Sequence, residues 1–184
     1  VHAWCEAIEW LDWTASGAEA PVPETPRSGL PDDEALIALA LREAPGLAMS
    51  RVQEWMADFK DWMHASSVRK ALSRADYPQR VRLERELPFL HRVPDGILQG
   101  YIDRLVLVEE DDRVVAAVVL DFKTDVVPEE ESDSPGGDPF AERVAYYRPQ
   151  IDAYREAVAG RYDLELSAVK GKLLFLRPGL VREV

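Results

Sequence analysis

The apolar run from Val114 to Leu120 constrains the fold more than any other feature of the sequence. Seven consecutive apolar residues end abruptly at Asp121, which Lys123 follows two positions later. A run of this length, rich in β-branched residues, is typical of a strand that is buried on both faces in the middle of a sheet. The strand should therefore begin in the core and end at an exposed edge, where its polar side chains lie.

Two further strands should precede this one. After Pro78 the apolar and charged residues alternate, as in the segment 81–86, and the period of two predicts a strand that runs to about His91. Pro94, Asp95 and Gly96 predict a turn, 97–108 a second strand, and 109–113 a charged turn before the third strand at 114–123. The three strands should form an antiparallel meander.

Helical spacing dominates the first third of the chain. An amphipathic helix is predicted over residues 1–13, a second through 36–41 with Asp32 and Asp33 as caps, and a third that Ser50 caps and that continues through 66–72. The segment 14–31, rich in Pro, Gly, Ser and Ala, predicts an exposed loop. These helices are interpreted as scaffold.

The rest of the chain returns to the sheet. The acidic segment 125–138 has no apolar pattern, a helix should begin at Pro139 with Pro149 either kinking it or opening a second segment, and 172–176 predicts a last strand. The sequence thus predicts an α/β fold with a central mixed sheet flanked by helices. We expect one domain over residues 1–184, with a helical part at 1–75 and the core at 78–184.

The net charge of −12 disfavours a free-standing, tight DNA binder, but the charge is unevenly distributed. Residues 1–46 hold nine acids and two bases, and residues 125–138 hold six acids and no base, so the remainder is close to neutral. No run approaches the roughly 18 apolar residues of a membrane span. The single cysteine, Cys5, permits no internal disulfide, and a reducing cytosol is the expected setting.

Asp103 and Asp121 stand out because each follows an apolar strand segment. If the second and third strands pair around the turn at 109–113, paired residue numbers should sum to about 222, which puts Asp103 opposite position 119 and near Asp121. Two carboxylates that close need a cation, and hard oxygen ligands suit Mg²⁺ or Mn²⁺. Lys123 shares the strand face of Asp121, where it could orient a water molecule and offset the charge of a phosphodiester.

These residues belong to a longer series of motifs. The sequence contains Glu86 in Arg-Glu-Leu-Pro-Phe, Asp103 in Gly-Tyr-Ile-Asp, Asp121 in Leu-Asp-Phe-Lys, and then Gln150 and Tyr154 as Q-x-x-x-Y. Their order and spacing resemble the RecB/AddA branch of the PD-(D/E)xK nucleases, and His2 resembles the additional upstream histidine of that branch. The resemblance spans nearly the whole chain and implies a restriction-endonuclease-like core.

The resemblance also implies roles for the residues. Asp103, Asp121 and the backbone carbonyl of Phe122 would bind Mg²⁺, with His2 as a further ligand, and Mn²⁺ or Ca²⁺ could occupy the same site. Lys123 would position the attacking water, Glu86 matches an acid near the site, and Gln150 and Tyr154 match residues that line it or contact DNA. No iron–sulfur cluster is expected, because related branches bind theirs with four cysteines and this sequence has one.

The implied function is hydrolysis of single-stranded DNA during double-strand-break repair. The partners would be helicase domains of the same parent chain and a second subunit, in a bacterial cytoplasm and without a membrane. Three alternatives remain open: a nuclease-like fold that only scans DNA, an interaction module with an acidic face, and a related nuclease outside break repair.

Overall fold

The computed structural model describes residues 1–11, 29–93, 96–125 and 140–184, which form two compact units, 1–78 and 79–184. The predicted loop at 14–31 lies almost entirely outside the described residues, as do Pro94, Asp95 and the acidic segment beyond Asp125. Within the described parts, no helix is both long and apolar enough to cross a membrane.

The first unit is helical. Its helices are α1 (His2–Ala7), α2 (Asp33–Glu43), α3 (Met49–His64) and α4 (Ser66–Ala71), followed by a 3₁₀ turn at Arg74–Asp76. Its core forms around Trp4, whose indole Nε1 donates a hydrogen bond to the Leu36 carbonyl over 2.8 Å and whose ring lies 5.2 Å from that of Phe59. The buried residues of α3 repeat at helical spacing: Val52, Met56, Phe59 and Met63.

Two predictions for this unit were wrong. The first helix ends at Ala7 and Ile8 is already extended, because its apolar residues pack individually into the core and do not continue one helical stripe. Ser50 does not cap α3; the N-cap is Ala48, and Ser50 lies within the first turn. The predicted Asp32 cap is confirmed, since its carboxylate accepts a hydrogen bond from the Ala35 amide over 2.8 Å.

The second unit is a five-stranded sheet with one long helix. The strands are β1 (Arg80–Val93), β2 (Gly96–Glu110), β3 (Arg113–Lys123), β4 (Val169–Phe175) and β5 (Leu180–Glu183), in the spatial order β1-β2-β3-β4-β5. Only the β3–β4 pair is parallel, and helix α5 (Ala141–Tyr162) connects those two strands. This mixed sheet confirms the predicted α/β class, the meander and the central place of β3.

The sequence did not predict β5, and α5 is one helix through Pro149, so no second segment opens there. One face of the sheet packs against α5 through a core that contains Leu105, Leu107, Ala117, Val119 and Leu173 from the strands and Ile151, Tyr154 and Val158 from the helix. The strand residues of this core fix which face carries the odd-numbered side chains of β3, including Asp121 and Lys123.

The predicted register of the central hairpin was wrong by two residues. Pairs such as Leu105 with Val119 sum to 224, and the ladder shifts at Val108 and Glu109 before the turn, where Asp111 and Asp112 both take positive φ. This irregularity adds residues that a simple hairpin count omits. The correction places Asp103 closer to Asp121 than the sequence predicted.

The close approach of α5 to β4 depends on Gly171, which is buried and pairs with Val119. A Cβ atom at this position would lie 2.3 Å from Cγ2 of Ile151 and 3.1 Å from Cδ of Arg155. We therefore expect Gly171→Ala to lower the free energy of unfolding by about 1–3 kcal/mol, as overpacking does in well-packed cores. Urea denaturation followed by circular dichroism measures the change.

Gly160→Ala is the matched control. Gly160 lies in α5 with open space where its Cβ would stand, so alanine should leave stability unchanged or raise it by up to about 1 kcal/mol. Equal unfolding free energies for the two variants would contradict this account of the packing between α5 and β4.

Candidate active site

Asp103 and Asp121 meet where β2 and β3 leave the core. Arg104 pairs with Leu120, so the next position along the same ladder sets Asp103 beside Asp121. Both side chains are buried, with exposed fractions of 8% and 2%. One Asp103 carboxylate oxygen, Oδ2, accepts a hydrogen bond from the Phe122 backbone amide over 2.8 Å. Two adjacent strands are thus joined through a carboxylate at the site itself.

Glu86 is the third acid, and its backbone is unusual for a strand. Its φ is +48°, a left-handed conformation that costs a residue with a side chain of the order of 1 kcal/mol or more. The flanking pairs, Arg85 with Arg104 and Leu87 with Ile102, keep one register, so Glu86 stands across from Asp103. Carboxylate oxygens of these two residues lie within 4.8 Å of each other.

The side chains of β1 and β2 near Glu86 do not alternate strictly between the two faces of the sheet. Ile102 packs in the same core as Leu105, although strict alternation along β2 would put these two residues on opposite faces. Phe89 of β1 joins this core as well and meets Tyr154 edge-on, with ring centroids 4.9 Å apart. Ile102, which precedes Asp103 in the sequence, and Phe89 thus add an apolar wall to the core that α5 covers.

Lys123 supplies the positive charge of the site. Its ammonium Nζ lies 2.5 Å from Oδ2 of Asp121 and 4.2 Å from the centroid of the Tyr147 ring. The side chain is 14% exposed, so its hydrocarbon stem is packed while its charge stays at the edge of the site. A carboxylate and an aromatic face together hold the ammonium in one place.

Gln150 and Tyr154 continue this contact from the helix. Being four residues apart on α5, they share one face, and Nε2 of Gln150 donates to the Tyr154 hydroxyl over 2.7 Å. Lys123 Nζ donates to Oε1 of Gln150 over 3.0 Å. A chain of polar contacts thus runs from Asp121 through Lys123 and Gln150 to Tyr154.

The electrostatics of Tyr154 report how closely the acids gather. Burial raises the pKa of its phenol to about 12, the negative charge of Asp121 adds to the rise, the Gln150 hydrogen bond opposes it, and Asp103 and Glu86 add smaller contributions. One hydroxyl therefore senses all three carboxylates. It remains protonated at neutral pH and can act as a hydrogen-bond donor.

Tyr147 and Asp125 are neighbours of the site that the sequence analysis did not assign to it. The Tyr147 hydroxyl donates to Oδ2 of Asp125 over 2.8 Å, while its ring lies beneath the Lys123 ammonium. Burial and this hydrogen bond raise the pKa of Tyr147 to about 12. A signal was present in the sequence, because position 147 precedes Gln150 by three residues and so shares its helix face.

His2 and Phe122 are the remaining predicted metal ligands. His2 is exposed and begins α1 in the first unit, and its role as a metal ligand stays a prediction. Phe122 has a buried side chain and lies between Asp121 and Lys123 on β3, with its amide bound to Asp103. A role for its carbonyl is likewise still a prediction.

The chemistry of the acidic group fits a hard divalent cation. Glu86, Asp103 and Asp121 offer carboxylate oxygens, which are the ligands that Mg²⁺ and Mn²⁺ prefer. Buried carboxylates this close repel one another, and a divalent cation relieves that repulsion. The residues present are therefore compatible with a magnesium-type site.

Acids and a lysine at the ends of neighbouring strands, beside one helix, define a class of protein that hydrolyses phosphodiesters with the help of a metal. The comparison with protein families agrees: the PD-(D/E)XK nuclease superfamily matches residues 1–183, and the chain belongs to that superfamily. Membership implies nuclease activity that uses a divalent metal. Among curated proteins, none matches the chain.

The backbone at Glu86 yields a test that does not depend on activity. Glycine adopts positive φ without strain whereas alanine does not, so Glu86→Gly should unfold with a free energy about 0.5–1 kcal/mol higher than Glu86→Ala. Chemical denaturation of the two variants, compared at the same pH and salt concentration, measures the difference. If alanine were the more stable replacement, the left-handed conformation would not be that of the folded protein.

Proposed function

We propose that this chain is a Mg²⁺-dependent deoxyribonuclease of the RecB/AddA type that cuts single-stranded DNA and leaves 5′-phosphate ends. The observation that carries the proposal is the group formed by Asp103, Asp121 and Lys123, with Glu86 beside it. A site that had lost catalysis would have no need to keep a buried acidic pair and a lysine together. The group therefore favours an active enzyme over a DNA-scanning or protein-interaction module.

The carboxylates would hold the metal. Asp103 is oriented by the Phe122 amide and Asp121 by Lys123, so both acids are held in place before a cation binds. Glu86 and the Phe122 carbonyl are the candidates to complete the ligand set from this unit, and the resemblance adds His2. The chemistry supplied by a bound Mg²⁺ is Lewis acidity, which makes water a better nucleophile and a phosphodiester a better electrophile.

Lys123 and its helix partners would act on the substrate. The ammonium is held by Asp121, Gln150 and the Tyr147 ring, which fixes it where it can orient a water molecule and stabilise charge that develops on the phosphate. Gln150 acts as a positioning residue because it contacts the ammonium. Tyr154 keeps its proton, so its hydroxyl can donate to an anionic oxygen.

The wider setting rests on the resemblance. Helicase domains of a longer parent chain, together with a second subunit, would deliver the strand during double-strand-break repair in a bacterial cytoplasm. The net charge of −12 supports this arrangement, because a chain so acidic gains little from counterion release and needs help to hold DNA. One domain over residues 1–184 remains our proposal for the organisation of this part.

Cleavage of a labelled single-stranded oligonucleotide, at high protein concentration, tests the proposal. We expect cutting in Mg²⁺ or Mn²⁺, none with a chelator, and a loss on the order of 100-fold or more in Asp121→Asn and in Lys123→Met, since each variant removes one charge from the centre. Asparagine and methionine keep the approximate shape of the replaced side chains. Rates are read from gel-resolved products.

The matched controls make the same chemical changes elsewhere in the second unit. Asp111→Asn alters an exposed turn residue, and Lys170→Met alters an exposed residue of β4. Both should cut at the wild-type rate. Metal-dependent cutting that survives in Asp121→Asn and Lys123→Met would refute the assignment of the active site.

A further inference from the structure

A groove beside the proposed active site is not explained by metal binding or hydrolysis. It has a volume of about 630 Å³, within the range of sites that hold small organic ligands. Its walls come from α5 on one side and from β1 and β2 on the other: Tyr146, Tyr147, Pro149, Gln150, Tyr154, Phe89, Leu98, Gln99 and Gly100. Aromatic rings, aliphatic groups and two neutral amide side chains form this lining.

The groove is continuous with the site through shared residues. Tyr147, Gln150 and Tyr154 belong to its wall, and the first two of these also contact the Lys123 ammonium. A chain lying in the groove would therefore pass directly beside Lys123. An occupant of the groove and the substrate of the site are thus expected to be parts of one molecule.

Tyr146 is the most exposed aromatic residue of this wall. Tyr146 is 74% exposed, and its ring meets the Tyr147 ring in an edge-to-face contact, with ring centroids 5.0 Å apart and planes at 82°. An edge contact of this kind orients a ring without covering both of its faces. A large apolar ring is unfavourable in water. A planar ligand that stacks on this ring would remove that cost.

The charge of the groove lining determines which planar ligands can bind there. No acid is present among the lining residues described, so none of the side chains that form the walls carries a negative charge against a phosphate backbone. A second groove of the same unit, at Leu87–His91 and Glu156–Arg161, contains both Glu156 and Arg161 and none of Tyr147, Gln150 and Tyr154. A nucleic acid that reaches Lys123 therefore fits the first groove better than the second.

We propose that this groove holds unpaired nucleotides next to the cleaved phosphate, with a base stacked on Tyr146, so that Tyr146 selects single-stranded DNA. The proposal rests on the proposed function. In duplex DNA the faces of the bases are covered by their neighbours, so an aromatic side chain can stack only on bases that are unpaired or extruded. Stacking does not depend on base identity, so this contact would bind single strands of any sequence.

The strand wall of the groove is compatible with the same use. A Cβ atom on Gly100 would lie 3.0 Å from Cε1 of Phe89, so the Phe89 ring packs directly over the backbone of Gly100. Gln99, exposed on β2, adds an amide that can bind phosphate or base edges. The strand wall of the groove thus offers an aromatic ring and an amide to a strand of nucleotides.

Binding of a fluorescent oligo-thymidine, followed by anisotropy with Ca²⁺ in place of Mg²⁺ to suppress cutting, tests the proposal. We expect Tyr146→Ala to weaken binding roughly 5- to 100-fold, the range that one stacked base contributes, and Tyr146→Phe to bind as the wild type does. Tyr101→Ala is the matched control, because Tyr101 is 60% exposed on β2 and outside the groove lining. It should leave binding unchanged.

A second substrate separates stacking from other effects of the substitution. An oligonucleotide with abasic sites keeps its phosphates but has no bases to stack, so it should bind the wild type as weakly as oligo-thymidine binds Tyr146→Ala. The abasic change should then cost Tyr146→Ala nothing further. A duplex of the same length should bind more weakly than the single strand.

The outcomes distinguish this inference from the proposed function. Wild-type cutting with equal binding by Tyr146→Ala, or equal binding of abasic and normal strands, would overturn the stacking role and leave the nuclease intact. Absence of single-strand binding by the wild type, or a preference for duplex, would overturn it too. Tyr146-dependent binding without any cutting would sustain the groove and count against the nuclease.

Discussion

The hydrogen bond from the Phe122 amide to the Asp103 carboxylate is the contact on which the rest of the site depends. It joins β2 to β3 at the point where both strands leave the core, and it orients one buried carboxylate beside another, Asp121. Two carboxylates buried this close are costly unless positive charge balances them. The ammonium of Lys123, which lies 2.5 Å from Asp121, supplies part of this positive charge. Glu86 adds a further carboxylate, so a divalent cation is favoured to supply the remaining positive charge.

Helix α5 places the polar and aromatic side chains that surround this acidic pair. Gly171 allows the helix to lie close against β4, and from that position Gln150 reaches the ammonium of Lys123 while Tyr154 senses the three carboxylates. Tyr147 and Tyr146 lie on the same helix, so the proposed binding of a nucleotide strand and the orientation of the lysine depend on one element. Packing against the sheet and chemistry at its edge are therefore coupled.

Much of this arrangement follows from patterns in the sequence. The apolar run before Asp121 indicated the central strand, the period of two placed Lys123 on the same face, and the Q-x-x-x-Y spacing put Gln150 and Tyr154 together. The register of β2 and β3 did not follow, because the shift near Val108 has no pattern in the local sequence.

Other features were inaccessible for related reasons. The left-handed backbone of Glu86 is imposed by tertiary contacts, since glutamate has no intrinsic preference for it. The first helix was predicted too long because apolar residues of an irregular segment can mimic helical spacing. Strand β5 is short and half-buried, so its four residues carry too weak an alternation to be recognised.

Calorimetric titration of the chain with Mn²⁺ tests the central claim, that the buried carboxylates form a divalent cation site, most directly. Asp103→Asn is the decisive variant, because asparagine can still accept the Phe122 amide hydrogen bond while it removes the charge. The account predicts saturable binding by the wild type and a loss of at least about tenfold in affinity in Asp103→Asn, with both proteins folded. Absence of binding by the wild type, or equal affinity in the two proteins, would contradict it.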